Sequence, residues 1–307
     1  MPTRQLMLMT TTSRTSEPAV GEIGFARMHE SFKATLSREA YRTLTALVYH
    51  HSRIRLGPDK QPMLANRLRK RLRALGIVSY DDYCALLESE RGADEIELLV
   101  DLISTNHTKF FREPDHFTFL TGRILPELSP RLLAEGSPLR VWSAAASSGE
   151  EPYTIAIVLA EFFRQHTSVE WKVEASDISH RMLDHARAAI YALDRIPPAF
   201  PELLKRYFQK GVEDRAGTCR VKADLRKHVR FQRINLFQAE YPVPREQHVI
   251  FCRNVMIYFD PGSRATLVKK LTRHLAPGGY LLIGHSESLL GIGHELEHVR
   301  QSIFRRR

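Results

Sequence analysis

The 307-residue chain holds only three cysteines, Cys84, Cys219 and Cys252, far apart and in no CxxC or histidine-cluster spacing. That excludes a disulfide framework, gives no basis for a metal site, and fits a reducing compartment. Long apolar runs are also missing. The longest candidate, Ile155–Phe163, is broken by Glu161 and falls well short of the ~20 residues that cross a bilayer. The Thr- and Ser-rich start has too little apolar chain for a secretory signal. These absences lead us to expect a soluble, cytoplasmic protein without direct membrane insertion, with residues 1–25 as a flexible tail. Acid is in deficit, with 35 Asp and Glu against 45 Lys and Arg, for a net charge of +10. Such a molecule is drawn to anions, and charge alone does not choose between nucleic acid, a membrane face and an acidic protein. The glycine fingerprint GxGxxG, needed to cradle a dinucleotide pyrophosphate, is absent as well. So is an Asn/Asp-Pro-Pro-Tyr motif that would stack a flipped base, since Pro197-Pro198 lies elsewhere, which argues against a nucleic-acid substrate.

What is present is an ordinary globular composition, 43% hydrophobic and 26% charged, at a length that allows one α/β domain and a smaller companion. From Phe32 to Leu102 apolar residues recur at helical spacing. Leu64, Leu68, Leu72 and Leu75 form one stripe, with Pro62 before it and Gly76 after it. The cations between them, Arg67, Arg69, Lys70, Arg71 and Arg73, are expected to face solvent or an acidic partner. After Arg112 short apolar runs alternate with helical ones, the pattern of a parallel sheet covered by helices. Strands are expected at Leu139–Ser143, Trp171–Ser176, His248–Arg253 and Tyr280–His285, with Gly278-Gly279 as a helix stop before the last. The segments Thr218–Lys222 and Val229–Ile234 read as a hairpin inserted between Leu193 and Asn235. The predicted fold is α/β: a doubly wound domain over 106–307 with a β-subdomain insert at about 193–234. A helical N-terminal domain over 26–90 precedes it, joined by a linker helix over 91–105.

A doubly wound sheet gathers its ligand at the carboxyl ends of its strands, so the turns after Ser143, Ser176 and Arg253 should share one site. The first turn, Ala144 to Pro152, combines small residues with Glu150 and Glu151 at a helix start. Two glutamates repel a pyrophosphate but suit a cationic ligand. Glu151 could pair with the ammonium of S-adenosylmethionine, or the two could simply complement the helix dipole. Asp177, at the end of the second strand, could accept from ribose hydroxyls or cap the helix that follows. The segment Thr105–Glu113 crowds polar side chains around Phe110-Phe111, and Arg253, Asn254 and Tyr258 stand at the mouth of the same site.

The motifs TNHTKFFRE, VWSAAASSGEEPYTIA, ASDISHRMLDHAR, INLF and FCRNVMIYFD, in that order, with KQPMLANRLRKRLRALGIVSYDDY before them, resemble the chemotaxis receptor glutamate methyltransferases of the CheR family. The resemblance spans roughly residues 31–290. It implies a cytoplasmic enzyme that moves a methyl group from S-adenosylmethionine to receptor glutamates, leaving S-adenosylhomocysteine. Implied cofactor contacts are Asn106, Thr108, Arg112, Glu151, Asp177, Asn235, Leu236, Arg253 and Asn254, with Arg112 and Tyr258 nearest the reacting groups. No metal is implied. The implied partners are the cytoplasmic domains of methyl-accepting chemoreceptors; the charge run leads us to expect an acidic helical surface docking on the basic helix Arg67–Arg73, and a monomer is the default. His107 and Lys109 depart from the expected pattern in being basic. Two rival readings, a nucleic-acid methyltransferase and a non-catalytic receptor-binding adaptor, lack support from the motifs.

Overall fold

A computed structural model of the chain describes residues 35–166, 169–197 and 201–307. The expected tail 1–25 lies outside these residues, as does Pro198. Among the described residues four α-helices come first: α1 (Arg38–Ser52), α2 (Gln61–Leu75), α3 (Tyr80–Glu88) and α4 (Gly92–Ile103). Their ends are written locally. Ser37 caps α1 through the Ala40 amide and Ser79 caps α3 through that of Asp82, each at 3.0 Å. Pro62 opens α2 and Gly76, at φ 67°, closes it. Leu44, Leu64, Leu68, Leu72, Tyr83 and Leu99 make the core between them.

Two expectations for this region change. The presumed linker helix, 91–105, is α4, which buries Ile96, Leu99 and Ile103 in the same core and so belongs to the bundle. The basic run does not all face outward. Arg67 turns back to the carbonyls of Leu102, Ile103 and Ser104 at the end of α4, and Arg71 forks onto the buried Glu95 carboxylate at 2.5 and 2.9 Å. Orphan carbonyls and a buried carboxylate each need cations, and these two arginines supply them.

The segment from 104 leads through α5 (Pro114–Phe119), a π turn (Leu120–Ile124) and α6 (Leu125–Glu135) into the sheet. Its strands are β1 (Leu139–Ser143), β2 (Trp171–Asp177), β6 (Val229–Arg233), β7 (Gln247–Cys252), β8 (Leu275–Ile283), β9 (Leu296–Arg300) and β10 (Ile303–Arg306), ordered β6-β2-β1-β7-β8-β10-β9. The first five run parallel and β10 is antiparallel to both neighbours. Adjacent residues serve opposite faces. Val141 and Phe251 join a core with Ile155 and Leu159, whereas Trp142 and Ile250 join one with Leu267 and Leu271. Both faces are therefore covered, by α7 (Glu150–Gln165) and α8 (His180–Ala188) among others, and by α9 (Pro261–His274). Among the described residues no helix is long and apolar enough to cross a membrane.

The insert is a three-stranded antiparallel sheet, β3 (Ile190–Ala192), β5 (Thr218–Val221) and β4 (Phe208–Lys210), in that order. The second strand of the expected hairpin, Val229–Ile234, is instead β6 of the main sheet, paired in parallel with β2 from Val173↔Val229 to Asp177↔Arg233. An alternating pattern does not say which sheet a strand joins. Gly278-Gly279 does not stop a helix either: the helix ends at His274 and both glycines lie inside β8. A Cβ on Gly279 would stand 3.0 Å from the Gln247 carbonyl and 3.1 Å from that of His248, so the glycine serves close approach to β7.

Candidate active site

The strand order reverses between β2 and β7 on either side of β1, and a cleft opens at their carboxyl ends. It holds about 1240 Å³ of space free of protein, open solvent included, and Asn106, Thr108, Arg112, Glu151, Asp177, Asn235, Leu236, Arg253, Asn254 and Tyr258 all line it. The sequence-derived candidates therefore converge. Ser52, Ile54, Arg55, Leu56, Lys60 and Met63 of the helical bundle form one wall. That wall is tied down by Tyr49 Oη to Asp260 at 2.9 Å, by Arg55 N to the Tyr258 carbonyl at 3.0 Å and by Asn235 Nδ2 to the His51 carbonyl at 2.6 Å.

The turn after β1 is shaped for close approach. Ser147 sits at φ 47° and Gly149 at φ 97°, where a Cβ would stand 2.7 Å from the Tyr191 hydroxyl. The two glutamates that follow diverge. Glu150 is fully buried and points to the insert, accepting from Arg195 at 2.5 Å and Ser148 at 2.6 Å. Glu151 turns into the cleft, accepts from Ser143 Oγ at 2.7 Å and stands 3.3 Å from Arg253 Nη1. Burial pushes its carboxyl above the ordinary range, with Arg253 pulling the other way.

Asp177 is buried, and its carboxylate accepts the Ser147 amide at 2.8 Å and the Ser179 amide at 2.9 Å. Burial raises its pKa and these amides lower it. The helix-cap alternative weighed for Asp177 does not hold: Ser179 caps α8 through the Met182 amide, and Asp177 accepts the amide of that cap residue. Asn235 spends its side chain on the Phe237 amide and the His51 carbonyl, leaving Leu236 and the main chain to face the cleft.

Sequence reasoning missed the residue at the centre of the charge network. Glu113, at φ 55°, accepts from Arg253 Nε and Nη2 at 3.2 and 3.0 Å, from Asn254 Nδ2 at 3.1 Å and from the His285 amide at 3.3 Å. Arg253, 5% exposed, is thus gripped by Glu113, Glu151 and the Arg112 carbonyl. Burial opposes ionisation of Glu113 while Arg253 favours it, and its pKa ends low. Glu113, Glu151, Arg253 and Asn254, which make this network, are scattered between positions 113 and 254, so no spacing signals it.

Several polar groups at the cleft have donors or acceptors that no protein group takes up. Asn106 Nδ2 is buried without a hydrogen-bond partner, and among the described residues none bonds the Tyr258 hydroxyl. Arg112 spends one Nη1 bond on the His107 carbonyl and keeps its other donors. Two carboxylates, Glu151 and Asp177, with no phosphate-binding glycine loop, fit a ligand bearing an ammonium and hydroxyls. Among the described residues one group has metal-type donors, Glu113, His116 and His285, within 4.8 Å of one another. A cation there would meet the Arg253 guanidinium already on Glu113, and we assign none.

A second cleft adjoins the first, sharing Ser104 and Asn106 with it. Lys70, Arg181, His185 and Arg195 line it and are exposed, and Arg67 and the buried Tyr191 line it as well. Arg55, Lys60, Lys109 and Arg112 line the main cleft, so cations gather in both clefts.

The family described as CheR methyltransferase, SAM binding domain, matches residues 106–304, and the CheR methyltransferase all-alpha domain matches residues 39–104. A chemotaxis protein methyltransferase of Borreliella burgdorferi is 40% identical over 274 residues, covering 88% of this chain and 95% of its own. One from Salmonella typhimurium is 39% identical, covering 89% and 91%. A third, chemotaxis protein methyltransferase 2 of Pseudomonas aeruginosa, is 39% identical, covering 87% and 93%.

Proposed function

The chain belongs to the CheR methyltransferase family and is an S-adenosylmethionine-dependent methyltransferase of chemotaxis, and from that premise we propose that its acceptors are glutamate side chains on the cytoplasmic domains of chemoreceptors. One observation carries the reading: the cleft holds the carboxylates Glu151 and Asp177 together with the cations Arg55, Lys60, Lys109 and Arg112, and the cleft beside it adds Lys70 and Arg181. An acceptor that is itself anionic is drawn in by that field.

The cofactor supplies a methyl group on a sulfonium. In this reading Glu151 receives its ammonium and Asp177 its ribose hydroxyls. Asn106, Thr108, Asn235, Leu236, Arg253 and Asn254 complete the pocket. An ionised glutamate is already nucleophilic at pH 7, so no general base is required. Arg112, with donors to spare beside Tyr258, orients the incoming carboxylate, and Tyr258 borders the methyl donor. Alignment near 3 Å and a partly desolvated site supply much of the rate, since attack neutralises two opposite charges. His107 and Lys109, basic where the resemblance did not anticipate it, add to the field at the entrance. The receptor's acidic helical surface docks on Arg69 and Lys70 of the basic helix, continuing over Arg181 toward the entrance. The enzyme works as a cytoplasmic monomer.

The test is transfer of label from S-[methyl-³H]adenosylmethionine to a purified receptor cytoplasmic domain. The expected product is a methyl ester, whose label alkali releases as methanol. Label that resists alkali, or none on the receptor, would remove the glutamate assignment. Lys70→Glu with Arg181→Glu is expected to raise KM for the receptor about tenfold while leaving S-adenosylhomocysteine binding unchanged.

A further inference from the structure

The loop that carries Asn254 and Tyr258 lies beside a second loop that contributes nothing to the cleft lining. β7 and β8 are parallel neighbours that end together, Cys252 opposite Ile283, so the chains leaving them run side by side. Parallel strand ends leave amides without ladder partners. Here one side chain collects them. Glu287, from the turn after β8, accepts the Met256 amide through Oε1 at 2.7 Å, and through Oε2 the Asn254 amide at 2.9 Å and the Gly284 amide at 2.5 Å. It therefore sits at the start of the 3-10 turn Met256–Tyr258, as a capping residue would, although it comes from another loop.

The contact leaves no slack. Asn254 holds a left-handed conformation at φ 57°. A Cβ on Gly284 would stand 2.5 Å from Asn254 Nδ2, 2.9 Å from its amide nitrogen and 2.9 Å from Glu287 Oε2. Glu113 accepts from the Asn254 side chain while Glu287 accepts from its backbone amide, so the two carboxylates grip different parts of the same residue. Removing the Glu287 grip frees the backbone of Asn254 and the first amide of the turn that aims Tyr258. A left-handed Asn and a short turn keep their geometry only while their surroundings impose it.

We propose that Glu287 is a positioning residue for methyl transfer, acting through the backbone of Asn254 and Met256 to hold Asn254 against the cofactor and Tyr258 beside the methyl donor. The inference rests on the site reading above. Glu287→Gln keeps the shape of the side chain but turns one acceptor into a donor facing an amide N–H. Expected is a rise of about tenfold in the Kd for S-adenosylhomocysteine, the equivalent of one charge-assisted hydrogen bond, in a protein whose circular dichroism is unchanged. A fall of about tenfold in kcat for receptor methylation accompanies it, with KM for the receptor within about twofold of wild type because the docking cations are untouched. A purely structural role would lower the melting temperature and leave kcat per folded molecule alone. Should the glutamine variant not fold, Glu287→Asp keeps the charge one methylene back, and its kcat is expected to fall as well. Wild-type kcat and wild-type cofactor affinity in a folded variant overturn the proposal. If the wild type methylates no glutamate, it is the acceptor assignment that fails, since the titration with S-adenosylhomocysteine involves no acceptor.

Discussion

Replacing Glu151 by glutamine should separate stability from function. Burial lifts the folded-state pKa of Glu151 above its ordinary 4.5, against the pull of Arg253 and Ser143. An acid whose folded pKa is raised disfavours folding whenever it is ionised. The cost is present at pH 7 and disappears as pH falls below the unfolded value. Glutamine removes the charge, can still accept from Ser143 Oγ, and leaves Arg253 its fork onto Glu113 and its bond to the Arg112 carbonyl. The ligand-free variant is therefore expected to melt at or above the wild-type temperature. Cofactor binding moves the other way. Glutamine can still accept from the cofactor ammonium but without the opposite charge, a loss of about 1–1.5 kcal/mol. At about 1.4 kcal/mol per decade, affinity falls roughly five- to tenfold. Calorimetric titration with S-adenosylhomocysteine and a thermal melt on the same preparation measure both. A pH series adds a second reading, since wild-type affinity should weaken as pH is lowered through the raised pKa of Glu151, and the variant should lack that component. Unchanged affinity in the variant would refute the pairing of Glu151 with the ammonium. A large drop in melting temperature would refute the balance of burial against Arg253.

Two further outcomes follow from the buried charges. His116 and His248 are held neutral by burial, with folded pKa values pushed down to about 3 and about 4. Below pH 6.5 the unfolded chain takes up protons that the folded one refuses, so each should cost roughly 1.4 kcal/mol per pH unit down to its folded pKa. His248→Asn, which can keep an acceptor for the Arg140 amide, should flatten the dependence of unfolding free energy between pH 6.5 and 5, measured by urea titration. In the helical bundle, Arg71→Met strands the Glu95 carboxylate, 6% exposed, with the Tyr83 hydroxyl as its remaining partner. Loss of about 3–5 kcal/mol is expected. An unchanged melting temperature would show that Arg71 is a surface cation after all.

Local pattern determined much of this protein. The Pro62–Gly76 bracket and the leucine stripe give α2. The apolar runs at 139–143, 171–177 and 247–252 give the parallel strands, and Glu151, Asp177 and Arg253 fall at their carboxyl ends because a doubly wound sheet gathers those ends. Long-range pairing is what one-dimensional pattern does not carry. Val229–Arg233 alternates as well as an insert strand would, yet its hydrogen bonds go to β2, and Gly278-Gly279 resembles a helix stop while serving the approach to β7. The basic run looked uniform until Arg67 and Arg71 met the end of α4 and Glu95. Glu113 and Glu287 show the limit most sharply. A glutamate is an ordinary residue in sequence, and only the folded chain, by bringing loops 141 and 33 residues apart against Asn254, turns these two into the carboxylates that hold the site.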